Sequence, residues 1–436
     1  MNKTKKNTIF LLIAFFIFMY VTFLSSFNRM DMLFRDEAHA WTIAQYCSIP
    51  QLFDLMKYEG HMLLWYLVLM PFAKMQLWYP QIMLFFNWIF AVGAILLVVL
   101  NKKMNVFVKI FLMFCPVFTS MYAVYARCYS IGVFLLFLAC ALYKKRLEHP
   151  YLYFLILFLA ANTSIMALAM AFPLGCLFLY DLYKEKLSDK DSLIQPILIT
   201  IFASLTGLFL FFQFNGFVVP AYETALRDSS LYNNIIKLFF EFNKTSDIFM
   251  YFMLCFSRLF ALLFLYFFAN NLRVLFLFLF STLSMSYLFL NFYSPYQWHL
   301  AFFIIYLFVC YWIYLEENTQ VRTKVILTAL MLSVLFVNYI YPSKINVDYD
   351  NLTNALISNN EFKTGKIYTF IPALYLSGEL PILNNSGIHI YDFNNIDISS
   401  YEGLKRYYHY AKLDLDKFSQ NLDKHKTNFI ISSNDL

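Results

Sequence analysis

Residues 61–75 read HMLLWYLVLMPFAKM, and residues 81–100 read QIMLFFNWIFAVGAILLVVL. A helix that crosses the roughly 30 Å hydrocarbon core of a bilayer needs about 17–25 mostly apolar residues. The second run meets that length and the first falls short of it. How the first run is read decides the placement of everything after it. If 61–75 spans, Lys102 and Lys103 fall outside and every later basic loop flips with them. If it lies in the interface, the basic segments share one side: the N-terminal lysines, Lys102-Lys103, Lys144-Lys145-Arg146, Lys184/Lys186/Lys190, Arg273 and Arg322/Lys324. Cytoplasmic loops carry the excess of Lys and Arg, so 61–75 is expected to be a juxtamembrane helix.

Working outward, spans are expected near 9–24, 81–100, 106–122, 128–143, 151–164, 165–181, 193–213, 248–268, 273–291, 298–315 and 324–341. That is about eleven spans at bilayer length. Lys3, Lys5 and Lys6 ahead of the run Ile9 to Leu24 would also suit a signal peptide. The run is long, however, and Ser25-Ser26-Phe27-Asn28 is a poor cleavage site, so a retained first span is expected. Only Asn162, Thr163 and Ser164 divide the stretch 151–181. The reading is a multi-pass protein of the cell (plasma) membrane, with a cytoplasmic N-terminus and outer segments at 28–80, 214–247 and from 342 onward.

Composition agrees. Of 436 residues, 61% are hydrophobic and 14% charged, against about 45–50% and about 25% in soluble domains. A single soluble core stops growing beyond roughly 250–300 residues. Soluble, fibrous, disordered and nucleic-acid-binding classes are thereby excluded. The expected fold class is an all-α polytopic membrane protein over 1–341, with a small C-terminal α/β extracytoplasmic domain over 342–436. In that tail short apolar runs such as KIYTFI, GIHIYDF and NFIISS alternate with amphipathic stretches. The tail holds 9 basic and 11 acidic residues, leaving 24 basic and 16 acidic ones in the membrane part. The positive balance therefore reports topology, and no nucleic-acid partner is expected. Seven cysteines show no paired spacing and read as small apolar fillers; only Cys47 and Cys128 could meet outside the membrane.

The densest polar cluster before the tail is Met30 to Trp65, MDMLFRDEAHAWTIAQYCSIPQLFDLMKYEGHMLLW. Arg35-Asp36-Glu37 opens an expected helix, since the helix dipole favours acidic residues in a first turn. On it Asp36, His39, Ala40 and Ile43 share one face, and Glu37, Trp41 and Ala44 share the next. Tyr58-Glu59-Gly60-His61 then leads into the interfacial helix. Two acidic clusters, each beside a basic residue or imidazole, suit a site that deprotonates one group and neutralises another. A capped helix with solvated loop charges would read the same way on composition alone.

The elements Arg35-Asp36-Glu37-Ala38-His39-Ala40-Trp41 and Tyr58-Glu59-Gly60-His61-Met62-Leu63-Leu64-Trp65 resemble the polyprenol-dependent GT-C glycosyltransferases. Within that superfamily they look most like the bacterial protein O-mannosyltransferase and aminoarabinose transferase group, glycosyltransferase family 39-like. The resemblance covers about 35 residues, with Met62 where many members have Pro. It implies a GT-C type fold and inverting transfer from a polyprenyl-phosphate-linked sugar to a glycan, lipid or protein acceptor of the cell envelope. A carboxylate base takes the acceptor proton. In the family the Asp of the Asp-Glu pair has that role, which carries over to Asp36; Glu37 is the second catalytic candidate. The leaving phosphate needs donors or a cation but no protonating acid, unlike the two-carboxylate logic of glycosidases.

Position supplies candidates for the phosphate side. Arg127, in Tyr125-Ala126-Arg127-Cys128-Tyr129-Ser130, lies at the outer end of its span, where a snorkelling Arg would be unremarkable. His61 could orient Glu59 or bind phosphate, and His299 begins a later span on the same side beside Trp298. Arg258 falls inside the expected 248–268 span, where charge is costly and normally faces the bundle interior, unless the boundary is misplaced. Arg35, His39, Glu59 and Tyr129 are expected to shape the site. Asp36, Glu37, Glu59 and His61 would suit a divalent metal, yet no obligatory metal or other cofactor is expected. Walker-type and G-x-G-x-x-G phosphate loops are absent, and the cytoplasmic loops are too short for a nucleotide-sugar domain.

Three other readings compete. A lipid-linked sugar transporter or flippase should spread polar residues through its spans and show inverted repeats. A polysaccharide polymerase or ligase would place its chemistry in the 214–247 loop, which holds Tyr222, Glu223, Arg227 and Asp228. A catalytically dead scaffold would have little reason to keep Asp36, Glu37 and Glu59 together.

Overall fold

A computed structural model describes residues 3–30, 35–57, 59, 61–186, 193–214, 263–291, 297–318, 320–340 and short pieces of the C-terminal region. The pieces are 366–369, 386, 388–391, 396–402, 404 and 428–431. The described part is overwhelmingly helical. Among the described residues, seven helices are long and apolar enough to cross a membrane: Lys6–Phe27, Gln81–Leu100, Cys128–Lys145, Ile165–Lys186, Ile194–Gln213, Leu272–Phe289 and Trp298–Glu317.

In chain order the helices are α1 (Lys3–Phe27), α2 (Arg35–Tyr46), α3 (Ile49–Leu55), α4 (Leu63–Lys74), α5 (Gln81–Leu100), α6 (Val106–Met113), α7 (Cys128–Leu142), α8 (Pro150–Ala161) and α9 (Ile165–Lys186). There follow α10 (Ile194–Phe214), α11 (Leu272–Asn291), α12 (Gln297–Glu317) and α13 (Val321–Ile340). Two expected spans are shorter than read. The run 106–122 is broken after Met113, because Pro116 cannot donate to a continuing ladder; it resumes as a π-helical turn at Val117–Tyr122. The stretch 151–164 holds only α8, whose 12 residues reach about 18 Å. Of the expected span 248–268, residues 248–262 lie outside the described residues, as do Arg258 and the loop 214–247 apart from Phe214.

The α8–α9 division falls where the polar triplet placed it. Asn162 Nδ2 donates back to the Phe158 carbonyl at 2.9 Å and Thr163 Oγ1 to that of Ala160 at 2.8 Å. Ser164 Oγ then accepts the Ala167 N–H at 3.2 Å. These local side-chain bonds satisfy backbone groups that the two helix ends leave open.

The bundle has two polar ends of different character. At one end Arg146 and Arg273 both pair with Asp181, at 2.6 and 2.5 Å. There Lys103 pairs with Glu316 at 2.6 Å, and Tyr143 and Asn271 bond Glu317. At the other end lie Arg29, α2, His61, Arg127 and the start of α12. Helix α7 links the ends, and its 15 residues put them about 22 Å apart. Helix α4 is shorter, its 12 residues reaching about 18 Å. Its start is bonded to the α8–α9 turn by Met62 N–Thr163 O (3.3 Å) and Leu64 N–Asn162 O (3.0 Å). Lys74 at its other end donates to the Gln45 carbonyl at 3.3 Å. Between these two points α4 packs along α2.

Gly132 lets α7 and the α8–α9 turn approach. A Cβ there would sit 2.7 Å from Thr163 Oγ1 and 3.2 Å from the Ala167 side chain. Overpacking of this kind costs about 1–3 kcal/mol, and the turn it displaces holds His61 and Met62. Gly132→Val is therefore expected to lower the thermal unfolding midpoint of the detergent-solubilised protein; an unchanged midpoint would show that the turn yields freely.

In the C-terminal region three strands, β1 (Lys366–Thr369), β2 (Ile390–Tyr391) and β3 (Asn428–Ile431), pair in parallel in the order β2-β1-β3. Parallel neighbours require crossover connections. Tyr401 donates its hydroxyl to Asp54 of α3 at 2.6 Å, and Leu404 is buried in the main apolar cluster.

Candidate active site

Helix α2 starts where acidic residues were expected in a first turn, with Asp36 and Glu37. Successive helical residues point about 100° apart, and the two carboxylates meet different partners. Asp36 Oδ2 lies 3.0 Å from Arg127 Nη1, with 21% of its side chain exposed. Glu37 is fully buried. One of its oxygens bonds Arg29 Nη2 at 2.8 Å and the other accepts the Ala126 backbone N–H. Arg29 also donates to the Val124 carbonyl at 3.0 Å and lies 3.8 Å over the Tyr125 ring. Glu37 therefore fastens the start of α2 to the loop that carries Arg127, while Asp36 keeps access to solvent.

Arg127 stands immediately before α7, in extended backbone. Its Nη2 donates to His61 Nε2 at 3.0 Å. A guanidinium has no lone pair to offer, so that nitrogen of His61 accepts and the ring proton sits on Nδ1. The guanidinium also lies 5.0 Å from both the Tyr129 and the Trp298 rings. Tyr129 reaches His299 Nε2 at 2.7 Å, which also accepts from the Trp298 indole at 2.9 Å. Tyr122 donates to the Trp298 carbonyl at 2.8 Å. Arg127, His61, Tyr129 and His299 thus form one connected cluster, walled by aromatic rings.

Glu59 belongs to a second, adjoining set. Its Oε1 lies 3.1 Å from His39 Nε2 and its Oε2 accepts the Tyr66 hydroxyl at 3.0 Å. Burial, and then the neighbouring Glu59 carboxylate, raise the Tyr66 hydroxyl well above its ordinary value, so it remains a donor. His39 leaves α2 on the same side as Asp36, three residues on. The backbone pairing of His61 with Ser164 places both sets against the α8–α9 turn.

Nine of the ten residues expected to form the site lie in the described part, and eight have side chains that can be placed. Asp36, Glu37, His39, Glu59, His61, Arg127, Tyr129 and His299 gather at one end of the bundle. Arg35 opens α2, and Arg258 lies outside the described residues. The expectations passed over Arg29, although a basic residue just past the first span, on the side otherwise poor in Lys and Arg, signals a carboxylate partner. They also passed over Tyr66, which an apolar run hides among core aromatics.

Among the described residues, no three or more of His, Cys, Asp and Glu are placed to hold a metal ion. Cys47 and Cys128 are both buried and unbonded. Burial pushes the Cys47 thiol up to about 12, and only a thiolate reacts readily. Alkylation of Cys47 by maleimide at pH 8 in the folded protein is expected to be at least tenfold slower than after denaturation, as followed by peptide mass spectrometry. Equal rates would mean that this layer opens freely.

A carboxylate with an accessible oxygen stands beside an arginine at a helix N-terminus, backed by imidazole and phenol groups. That arrangement can take a proton from a hydroxyl and hold an anion at adjacent points. Comparisons with family models, with curated proteins and with solved structures find no match for this chain.

Proposed function

We propose that the chain is a membrane-embedded glycosyltransferase of GT-C type. In this reading it moves a sugar from a polyprenyl phosphate to a cell-envelope acceptor on the outer face. The observation that carries the reading is the 3.0 Å approach of Asp36 to Arg127 at the end of the bundle opposite the basic cluster. Asp36 takes the acceptor hydroxyl proton as that oxygen bonds the anomeric carbon. The bond from the anomeric carbon to phosphate breaks with inversion, and the released polyprenyl phosphate gains a negative charge that Arg127 and the N-terminus of α7 offset. His61, Tyr129 and His299 orient the guanidinium and the phosphate. Glu37 braces the site, while His39 and Tyr66 hold Glu59 at its edge.

The lipid-linked donor is favoured by depth. The site adjoins the outer turn of α8, whose roughly 18 Å falls short of the roughly 30 Å hydrocarbon thickness. In this reading the site lies below the outer surface, where an isoprenoid chain can enter sideways. The same reading has about eleven spans in the plasma membrane, a cytoplasmic N-terminus, and the region from 342 as an extracytoplasmic α/β domain that helps select a glycan, lipid or protein acceptor. The transporter reading loses ground because the charged side chains described gather at the two ends of the bundle and not along its spans.

The test is transfer of radiolabel by the purified full chain from a panel of polyprenyl-phosphate sugars, with envelope extract as acceptor. Transfer from one of these and not from nucleotide sugars supports the reading. Movement of label across vesicles without transfer would replace it with the transporter.

A further inference from the structure

At the end of the bundle opposite Asp36, a recess of about 240 Å³ opens between helices, lined by Lys103, Met104, Asn105, Leu315, Lys324, Val325 and Thr328. Its electrostatics are lopsided. Lys103 Nζ lies 2.6 Å from Glu316 Oε2, and Lys144 Nζ lies 3.8 Å from the same oxygen. Lys103 is further engaged by the carbonyls of Leu315 and Glu316. Lys324 has neither an ion pair nor a hydrogen-bond acceptor for its ammonium among the described residues, and it is close enough to act electrostatically on Lys144. Three ammonium groups against one carboxylate leave an excess of two positive charges. The first turn of α13 carries Arg322 and Lys324 and no acidic residue, where the helix dipole disfavours cations.

Exposed apolar side chains stand at the recess or within three residues of its lining in the chain. Leu100, Phe107 and Val325, on α5, α6 and α13, are exposed by 64, 60 and 62%. A soluble anion would gain nothing from such a flank, whereas acyl chains would lie along it. Basic pockets between membrane helices on the cytoplasmic side suit anionic lipid headgroups.

We propose that this recess is a binding site for an anionic phospholipid, with the phosphodiester between Lys324 and Lys144 and the acyl chains along Leu100, Phe107 and Val325. Lys103 fixes the floor by tying the end of α12. The site is separate from the proposed transfer chemistry and lies about 22 Å from it, the length of α7. It depends on the chain spanning a membrane, and it stands whether or not the chain transfers sugar.

The experiment uses the purified full chain in neutral detergent, titrated with phosphatidylglycerol, with phosphatidylcholine of the same chains, or with inorganic phosphate. Readouts are the thermal unfolding midpoint and retained lipid by native mass spectrometry. Phosphatidylglycerol is expected to bind and raise the midpoint, and the other two to leave it unchanged. The Lys144→Gln/Lys324→Gln variant, which leaves Lys103 in place, should weaken phosphatidylglycerol about 10- to 30-fold, as two lysines near a membrane surface would, with its lipid-free midpoint kept. Should the double variant misfold, Val325→Asn is the second probe and should weaken phosphatidylglycerol alone. Equal binding of the two lipids, an undiminished response in both variants, or a full response to inorganic phosphate would each overturn the proposal.

Discussion

Asp36→Asn is expected to lower sugar transfer at least about 100-fold, the lower end of what a positioned general base contributes. The side chain keeps its shape and one oxygen toward Arg127, and it is the more exposed of the two adjacent acids. The fold should therefore survive, with donor binding by the variant within about threefold of wild type. The comparison is single-turnover transfer at matched protein, with binding of the polyprenyl-phosphate sugar measured separately. A 100-fold loss corresponds to about 2.7 kcal/mol of transition-state stabilisation, too large for a surface charge alone. Full activity in the variant would remove Asp36 from the mechanism and bring Glu59, the other partly accessible carboxylate of the cluster, forward as base.

Glu37→Ala should fail in a different way. It would strand Arg29, only 16% exposed, beside an empty space, and leave the buried Ala126 N–H without its acceptor. Breaking a buried ion pair by removing one partner costs about 3–5 kcal/mol, and an unsatisfied buried donor adds about 1–3 kcal/mol. The expected result is a large drop in thermal midpoint and loss of the monodisperse peak in detergent, with activity falling in proportion to folded protein. Replacing both members, Arg29→Met with Glu37→Met, should recover much of the stability, because an apolar pair incurs no desolvation penalty. A Glu37→Ala protein as stable as wild type and yet inactive would instead make Glu37 a participant in the chemistry. The two neighbouring substitutions thus separate a loss of catalysis from a loss of structure within one helical turn.

Much of the architecture was legible locally. Long apolar runs become helices wherever no proline or polar triplet interrupts them. The acidic pair marks the start of α2, the triplet 162–164 marks the α8–α9 turn, and the short run 61–75 becomes a helix of only 12 residues. The run 106–122 reads as one span because hydropathy averages over Pro116, while hydrogen bonding does not. The clustering of Asp36, Glu37, Glu59 and His61 was also legible, since they share one loop.

The pairings were not legible. Nothing in residues 35–41 says that Asp36 faces Arg127 while Glu37 faces Arg29, because an isolated helix presents both carboxylates to solvent. Their division follows from where α7 and the loop before it pack against α2. Tyr129 and His299 meet across 170 residues of chain, and Lys103 reaches Glu316 across 213. Hydropathy and helical period decided by themselves that this is a helical membrane protein with its acidic loop between the first helices. The tertiary structure alone decided which carboxylate is braced and which remains accessible beside an arginine. Burial is set by the local run of side chains, whereas charge pairing is set by the order in which helices pack.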